Sequence, residues 1–375
     1  MLDIFKNLKL EGDRIIWIVV FALCSLSTLV VYSAAGWNFF FSHLIKIFIG
    51  LFFMYIVHKW KFKYFSRIGL FLFWLSIILL IAVFIFGVNV NEASRWLSFA
   101  GHQFQPSDIA KLAVLLFLAR QLSKRRNELV NFKSVVFHLV FPLCLVCLLI
   151  LPNNFSTAAL VFLSGFIMMF LGDVKFKHLF AIIFAGIFSL FFIYLISSSP
   201  ITKDIIPRSS TWINRVKTFT SESDDMLDKN YQVTQALIAI HNGGIFGVGP
   251  GKSTQRNIIP YSYSDFIFAI MIEEYGLLLG AIVPILLYLI LLFRSIRISL
   301  KTKSMFGGLV AIGLIFSIVL QAFINMFVSV NIIPVTGQTL PLISMGGTSI
   351  LFTCITIGIV LSISRDTTDR DYEKA

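Results

Sequence analysis

Three carboxylates stand where an apolar chain should carry none: Asp265 at the edge of the run "SDFIFAIMIEEYGLLLG", and Glu273 and Glu274 inside it. Asp265 follows Ser264 where a loop turns into a helix, a position suited to capping exposed helix N–H groups. The same position suits a general base, because the apolar residues behind it favour the neutral acid and raise its pKa. Glu273 and Glu274 lie about 12 Å into the run at about 1.5 Å per residue, a costly place for charge unless it is paired or hydrated. Lys111 and Lys46, also within apolar runs, are the expected partners. Adjacent helical residues point about 100° apart, so one glutamate is expected to face a cavity, with a structural ion pair as the competing role.

Cations for an anionic substrate are Arg95 in "EASRW", Lys111 in "FQPSDIAKL", and Arg215, Lys252 and Arg256 in one long polar loop. Gln105 precedes Pro106, which opens a helix with Ser107 and Asp108 in its first turn, so Lys111 falls near the membrane surface. The stretch "HNGGIFGVGPGKSTQ" imitates a phosphate-binding loop through Gly251-Lys252-Ser253, but Phe246 stands where that pattern needs glycine. Either it is a plain glycine-rich turn, or its backbone N–H groups join Lys252 and Arg256 around a phosphate. The histidines lack ligand spacing, and Cys144 and Cys147 form a C-x-x-C without a second pair, so no metal site is expected.

The elements that position these residues are membrane helices. Of 375 residues, 57% are hydrophobic and 13% charged, and 40 are Phe, which excludes a soluble domain of ordinary composition. Ten apolar runs centre on residues 15–35, 38–57, 67–87, 108–122, 134–151, 155–171, 178–198, 265–293, 307–330 and 343–364. The first ends in "YSAAG" like a signal cleavage site, but its apolar core is too long for one, and it reads as a retained helix.

The net charge of +12 is a matter of topology, not of nucleic acid binding. Between these runs, 21 of the 31 Lys and Arg fall on one side, 8 on the other and 2 within spans. That alternation places both termini, 1–13 and 365–375, in the cytoplasm. The expected fold is an all-α polytopic integral membrane protein of ten transmembrane helices in a lipid bilayer. Its large extracytoplasmic loop, residues 199–264, lies between helices 7 and 8 and marks the outer face as the functional one.

Four segments, "SRWLSFAGHQFQPSDIAKL", "YQVTQALIAIHNGGIFGVGPGKSTQRNIIP", "SDFIFAIMIEEYGLLLG" and "IIPVTGQTLPLISMGGTSIL", resemble in order the SEDS family of bacterial shape, elongation and division proteins. Within it the likeness is closest to FtsW of the Bacteroidetes type, with RodA as the sibling. The resemblance implies a glycosyltransferase that polymerises lipid II, an undecaprenyl-pyrophosphate-linked disaccharide-peptide, outside the cytoplasmic membrane, with Asp265 as the catalytic residue that takes the proton of the attacking sugar 4-hydroxyl. It further implies a class B penicillin-binding protein transpeptidase and other divisome proteins as partners, placement at the division septum, and leaves a divalent cation open. Gln105, Ser107 and the five cations above are then candidate contacts to the substrate's pyrophosphate or sugar, with Glu273 and Glu274 in support. Where many relatives carry an acid after the fifth span this chain has Asn154, which puts any second carboxylate role there in doubt. A lipid II flippase and a non-catalytic scaffold are the competing functions.

Overall fold

A computed structural model describes residues 10–90, 93–99, 102–197, 215, 219 and 231–372. The polar start "GDRII" becomes a helix because Asp13 accepts hydrogen bonds from the N–H groups of Ile15 (2.9 Å) and Ile16 (3.3 Å). This helix, α1 (Arg14–Lys59), covers two expected spans and breaks at Gly36, whose φ of 73° lies outside the helical region. α2 (Phe65–Phe86) follows, then a three-stranded antiparallel meander of β1 (Val88–Val90), β2 (Ala93–Phe99) and β3 (His102–Phe104). Val88 pairs with Trp96, and Leu97 with Phe104. The strands correct the all-α expectation: in three to seven residues, alternation is too short to stand out beside helical runs.

α3 (Pro106–Lys124), α4 (Phe132–Val135) and α5 (Phe141–Ile150) come next, with a π-helical turn at Val136–Val140 joining the last two. α6 (Phe155–Leu171) starts at Asn154, whose side chain accepts from the Thr157 N–H at 3.2 Å. The amide that replaces the family acid therefore serves as a cap, which needs an acceptor oxygen but no charge. α7 (Phe176–Ser197) leads to the long loop, in which α8 (Tyr231–Gly243) was not expected.

The eighth apolar run is two helices, not one. α9 (Ile267–Gly276) ends where Gly276 takes φ 72°, and the chain resumes through a π turn (Leu277–Ile282) into α10 (Val283–Lys301). The break exists because Gly276 meets the 245–247 backbone head-on. A Cβ on Gly276 would lie 2.2 Å from the Ile245 oxygen, and one on Gly247 (φ +81°) would lie 2.3 Å from the Glu274 oxygen. Only glycine fits either position. The glycine-rich stretch thus docks residues 245–249 against α9.

α11 (Met305–Ser329), capped by Ser304 at Gly307, is largely enclosed and packs against α3, α6, α10 and α12 (Ser349–Tyr372). The last span starts later than expected, and its helix runs on through 365–372, which the sequence reading assigned to a tail. Residues 331–348 are irregular, and most of 338–346 are buried. Irregular backbone at membrane depth survives only inside protein or along a wet cavity.

Among the described residues, seven helical stretches are long and apolar enough to cross a membrane, and Phe155–Leu171 and Phe176–Phe188 are shorter apolar helices. Phe48, Phe71, Ile85 and Phe184 face outward, as side chains do where lipid is the solvent. Inside, polar pairs join helices: Ser164 donates to Ser317 at 3.2 Å between α6 and α11. Ser27 of α1 bonds both His43 (2.6 Å) and the Ile343 carbonyl (2.7 Å) of the irregular segment.

Candidate functional site

A cavity of about 410 Å³ opens where β2, the start of α3, the residues before α9 and segment 331–348 converge. It gathers Asp265 with Arg95, Gln105, Lys111 and Arg215, five of the sequence candidates. Trp96, Asp108, Tyr261, Tyr263, Gln321, Gln338 and Thr339 complete most of its polar and aromatic wall. The volume lies within the roughly 300–1,000 Å³ usual for small-molecule sites.

Asp265 does not cap α9. The cap position is Phe266, with no side-chain capping bond, so the acid is left to the cavity. Its carboxylate accepts from the Ser264 hydroxyl at 3.0 Å. Burial pushes the Asp265 carboxyl above the usual carboxylate range, opposed by the Ser264 hydrogen bond and then by the positive fields of Arg95 and Arg215. Such a group exchanges a proton closer to neutral pH than an exposed aspartate does.

The backbone around the acid is pinned from α11 and the irregular segment. Asn325 donates from one amide to the carbonyls of Asp265 (2.8 Å) and Gln338 (2.7 Å). Gln338 reaches Thr157 at 2.9 Å, and Ser344 donates to the Ser264 carbonyl at 2.6 Å. Removing Asn325 strands two carbonyl oxygens. Asn325→Leu is expected to cost about 1–3 kcal/mol for each, read as a lowered Tm of the purified protein together with reduced activity.

The cations are held at fixed points. Arg95, carried by β2, donates to the Asn153 carbonyl at 2.9 Å, and Arg215 to the Val335 carbonyl at 2.9 Å. Lys111 donates to Gln321 at 2.6 Å, and Gln321 in turn donates to the Thr339 carbonyl at 2.9 Å. Asp108 accepts from Thr348 at 2.8 Å. Gln321, Gln338 and Asp108 were not chosen from sequence. Their signal was an amide in the apolar run "IVLQAFIN", a polar "VTGQT" between spans, and an acid one helical turn before Lys111.

Five candidates lie outside the cavity lining. Ser107 is buried beside the cavity and accepts from the Gln105 amide at 2.8 Å. Lys252 and Arg256 do not line the cavity; Lys252 is exposed, and Arg256 donates to the carbonyl (2.8 Å) and hydroxyl (3.0 Å) of Ser33. Glu273 and Glu274 are buried in α9 but face the docked loop and α1, not the cavity. Their partners are not Lys46 and Lys111. Glu273 accepts from the Ser253 hydroxyl, from the Thr254 N–H (3.2 Å) and hydroxyl (3.0 Å), and from the Gln255 N–H (3.3 Å), while Glu274 accepts from Ser33.

Glu273 is therefore the latch of residues 253–255. Glu273→Gln is expected to replace an acceptor oxygen with a donor facing donors, costing about 2–3 kcal/mol. The readout is faster proteolysis within 244–258, with the pH dependence of activity unchanged. Among the described residues no group of three or more His, Cys, Asp or Glu could hold a metal ion.

This arrangement puts the Asp265 carboxylate in the same cavity as three cations. A family model described as "Cell cycle protein", covering FtsW, RodA and SpoVE, matches residues 12–369. The chain belongs to this family. Stage V sporulation protein E of Bacillus subtilis is 31% identical over 377 residues, covering 95% of this chain and 98% of its own. The probable peptidoglycan glycosyltransferase FtsW of Hydrogenovibrio crunogenus is 34% identical over 326 residues, 85% and 80% of the two chains. The family fold recurs in the crystal structure of the rod shape determining protein RodA of Thermus thermophilus, at 25% identity and a TM-score of 0.70, covering 95% of this chain and 97% of that one. A chain of a peptidoglycan synthase complex has the same fold, with a TM-score of 0.77 at 24% identity, covering 95% and 98%.

Proposed function

We propose that this member of the family is a peptidoglycan glycosyltransferase that polymerises lipid II at the outer face of the cytoplasmic membrane. The observation that carries the reading is the shared cavity of Asp265 with Arg95, Lys111 and Arg215. In the proposed step the 4-hydroxyl of the acceptor sugar gives its proton to the Asp265 carboxylate, and its oxygen forms a bond to C1 of the donor. The C1–O bond to the pyrophosphate breaks, the leaving group keeps the electron pair, and the configuration at C1 inverts. The cations stabilise the charge that develops on the pyrophosphate. Gln105 and the aromatic rings of Trp96, Tyr261 and Tyr263 line the space for the sugars.

The same reading gives ten membrane crossings. Seven are the long apolar stretches, two the shorter helices α6 and α7, and α3 is the tenth, tolerated despite Lys111 because its inner face lines the cavity. Both termini then lie in the cytoplasm and residues 199–264 outside. The relatives named FtsW support septal wall synthesis with a class B penicillin-binding protein and other divisome proteins, and the RodA likeness an elongation role.

Purified protein, alone and with such a transpeptidase, is to be supplied with lipid II and its products sized. Glycan polymer is the expected result. Lipid II crossing a liposome membrane without polymer would instead identify a flippase, and neither activity with intact partner binding a scaffold.

A further inference from the structure

At the opposite end of α10 from α9, a second cavity of about 260 Å³ lies between the start of α1, the last turns of α10 and α12. Its described lining carries four cations, Arg14, Arg294, Arg297 and Lys301, against one carboxylate, Asp13. Asp13 is already spent: it pairs with Arg294 and caps α1. The nearby Glu11 is paired with Arg365 at 3.4 Å, and Asp366 and Lys301 have partners of their own.

Arg14 and Arg297 are the informative residues. Arg14 is the first residue of α1, where the positive end of the helix dipole disfavours a cation. Cytoplasmic topology accounts for basic residues at this end, but not for a recess between three helices that they line together. Because Asp13 takes the first free N–H groups of α1, an anion here would be held by side chains and not by the helix terminus. The recess is just below the roughly 300 Å³ at which drug-sized pockets begin and has room for a phosphate group. Beside it Ile15, Phe293, Ile296 and Leu300 are exposed and apolar, a path for acyl chains along α1 and α10.

We propose that this pocket binds a phosphate group, supplied by the headgroup of an anionic phospholipid. The site is separate from the Asp265 cavity and stands whether or not the glycosyltransferase reading does. Basic pockets between membrane helices on the cytoplasmic side recognise such headgroups through the same chemistry.

The test uses the full chain in detergent, native and with Arg14→Gln and Arg297→Gln combined, followed by native mass spectrometry. Phosphatidylglycerol and phosphatidylcholine are compared, with inorganic phosphate as competitor. The native protein is expected to retain phosphatidylglycerol preferentially, and the double variant to bind it about thirty-fold more weakly, near fivefold per cation. An unchanged Tm in phosphatidylcholine shows that the variant folds. Equal retention of both lipids by the native protein, or an undiminished preference in the variant, overturns the proposal. Displacement of the lipid by millimolar inorganic phosphate, with the same dependence on both arginines, overturns the lipid as the source.

Discussion

Asp265→Asn is expected to lower glycan polymerisation by at least about 10²–10⁴-fold, the usual contribution of a general base, without unfolding the protein. Asparagine fills the same volume and keeps an oxygen for the Ser264 hydroxyl, and the Asn325 bond runs to the backbone carbonyl, which the substitution leaves in place. The pH dependence follows from the raised pKa of the acid, caused first by burial. Catalysis needs the carboxylate, so native activity falls as pH drops through a value above the ordinary aspartate range near about 4. Stability runs the other way. A carboxyl whose folded pKa is raised costs the fold stability above that pKa, and the cost is relieved as pH falls toward the unfolded value. Asp265→Asn is therefore expected to match or exceed the native Tm at neutral pH, with the difference disappearing at about pH 4 and below. Thermal melts across that range, beside activity assays, check both halves.

Replacing the arginines is expected to have the second largest effect. Arg95→Gln or Arg215→Gln removes a fixed charge from the place where the leaving pyrophosphate gains its own, an effect of about 10²–10³-fold on kcat by comparison with loss of one preorganised donor. Both arginines also oppose the upward push on Asp265. Losing either is expected to move the acid limb of the activity profile to higher pH as well as lowering its plateau. A purely structural role, through the carbonyls of Asn153 and Val335 that they bond, would lower Tm and leave that limb in place. Arg→Lys at either site is expected to restore the limb more fully than the rate, because lysine keeps the charge but not the planar donor fork.

Charges in an apolar chain were the legible part of the site. Asp265 and Lys111 stood out as charges at or in apolar runs, Arg95 and Arg215 as loop cations suited to an anionic substrate, and the cavity gathers all four. Lys252 and Arg256 looked alike in sequence but do not line the cavity, Lys252 being exposed and Arg256 bonded to Ser33 of α1, since composition does not say which way a loop folds back. Gln321 and Gln338 were missed because a neutral amide costs a membrane helix far less than a charge and leaves little mark on hydropathy.

Nearly all the long helices were legible, and their irregularities were not. Gly276 sits in "EEYGLLLG" without a change in hydropathy, so α9 and α10 read as one span, which put Glu273 and Glu274 in mid-membrane rather than against the docked loop. Residues 343–348 belong to the irregular segment beside the cavity and precede α12, which starts at Ser349, so the last span is shorter at its start than hydropathy suggests. Asn154 shows the converse: its departure from the family acid was visible, and its role as the cap of α6 emerged only from the fold.

Binding separated from chemistry tests the role of Asp265 most directly. Lipid II affinity is to be measured on native protein and Asp265→Asn by equilibrium titration in the same detergent, beside polymer formation. A base that abstracts the acceptor proton predicts near-native affinity in the variant with polymer lost. Polymer formed by the variant at the native rate, or affinity lost in step with activity, would contradict the assignment of Asp265 as the base.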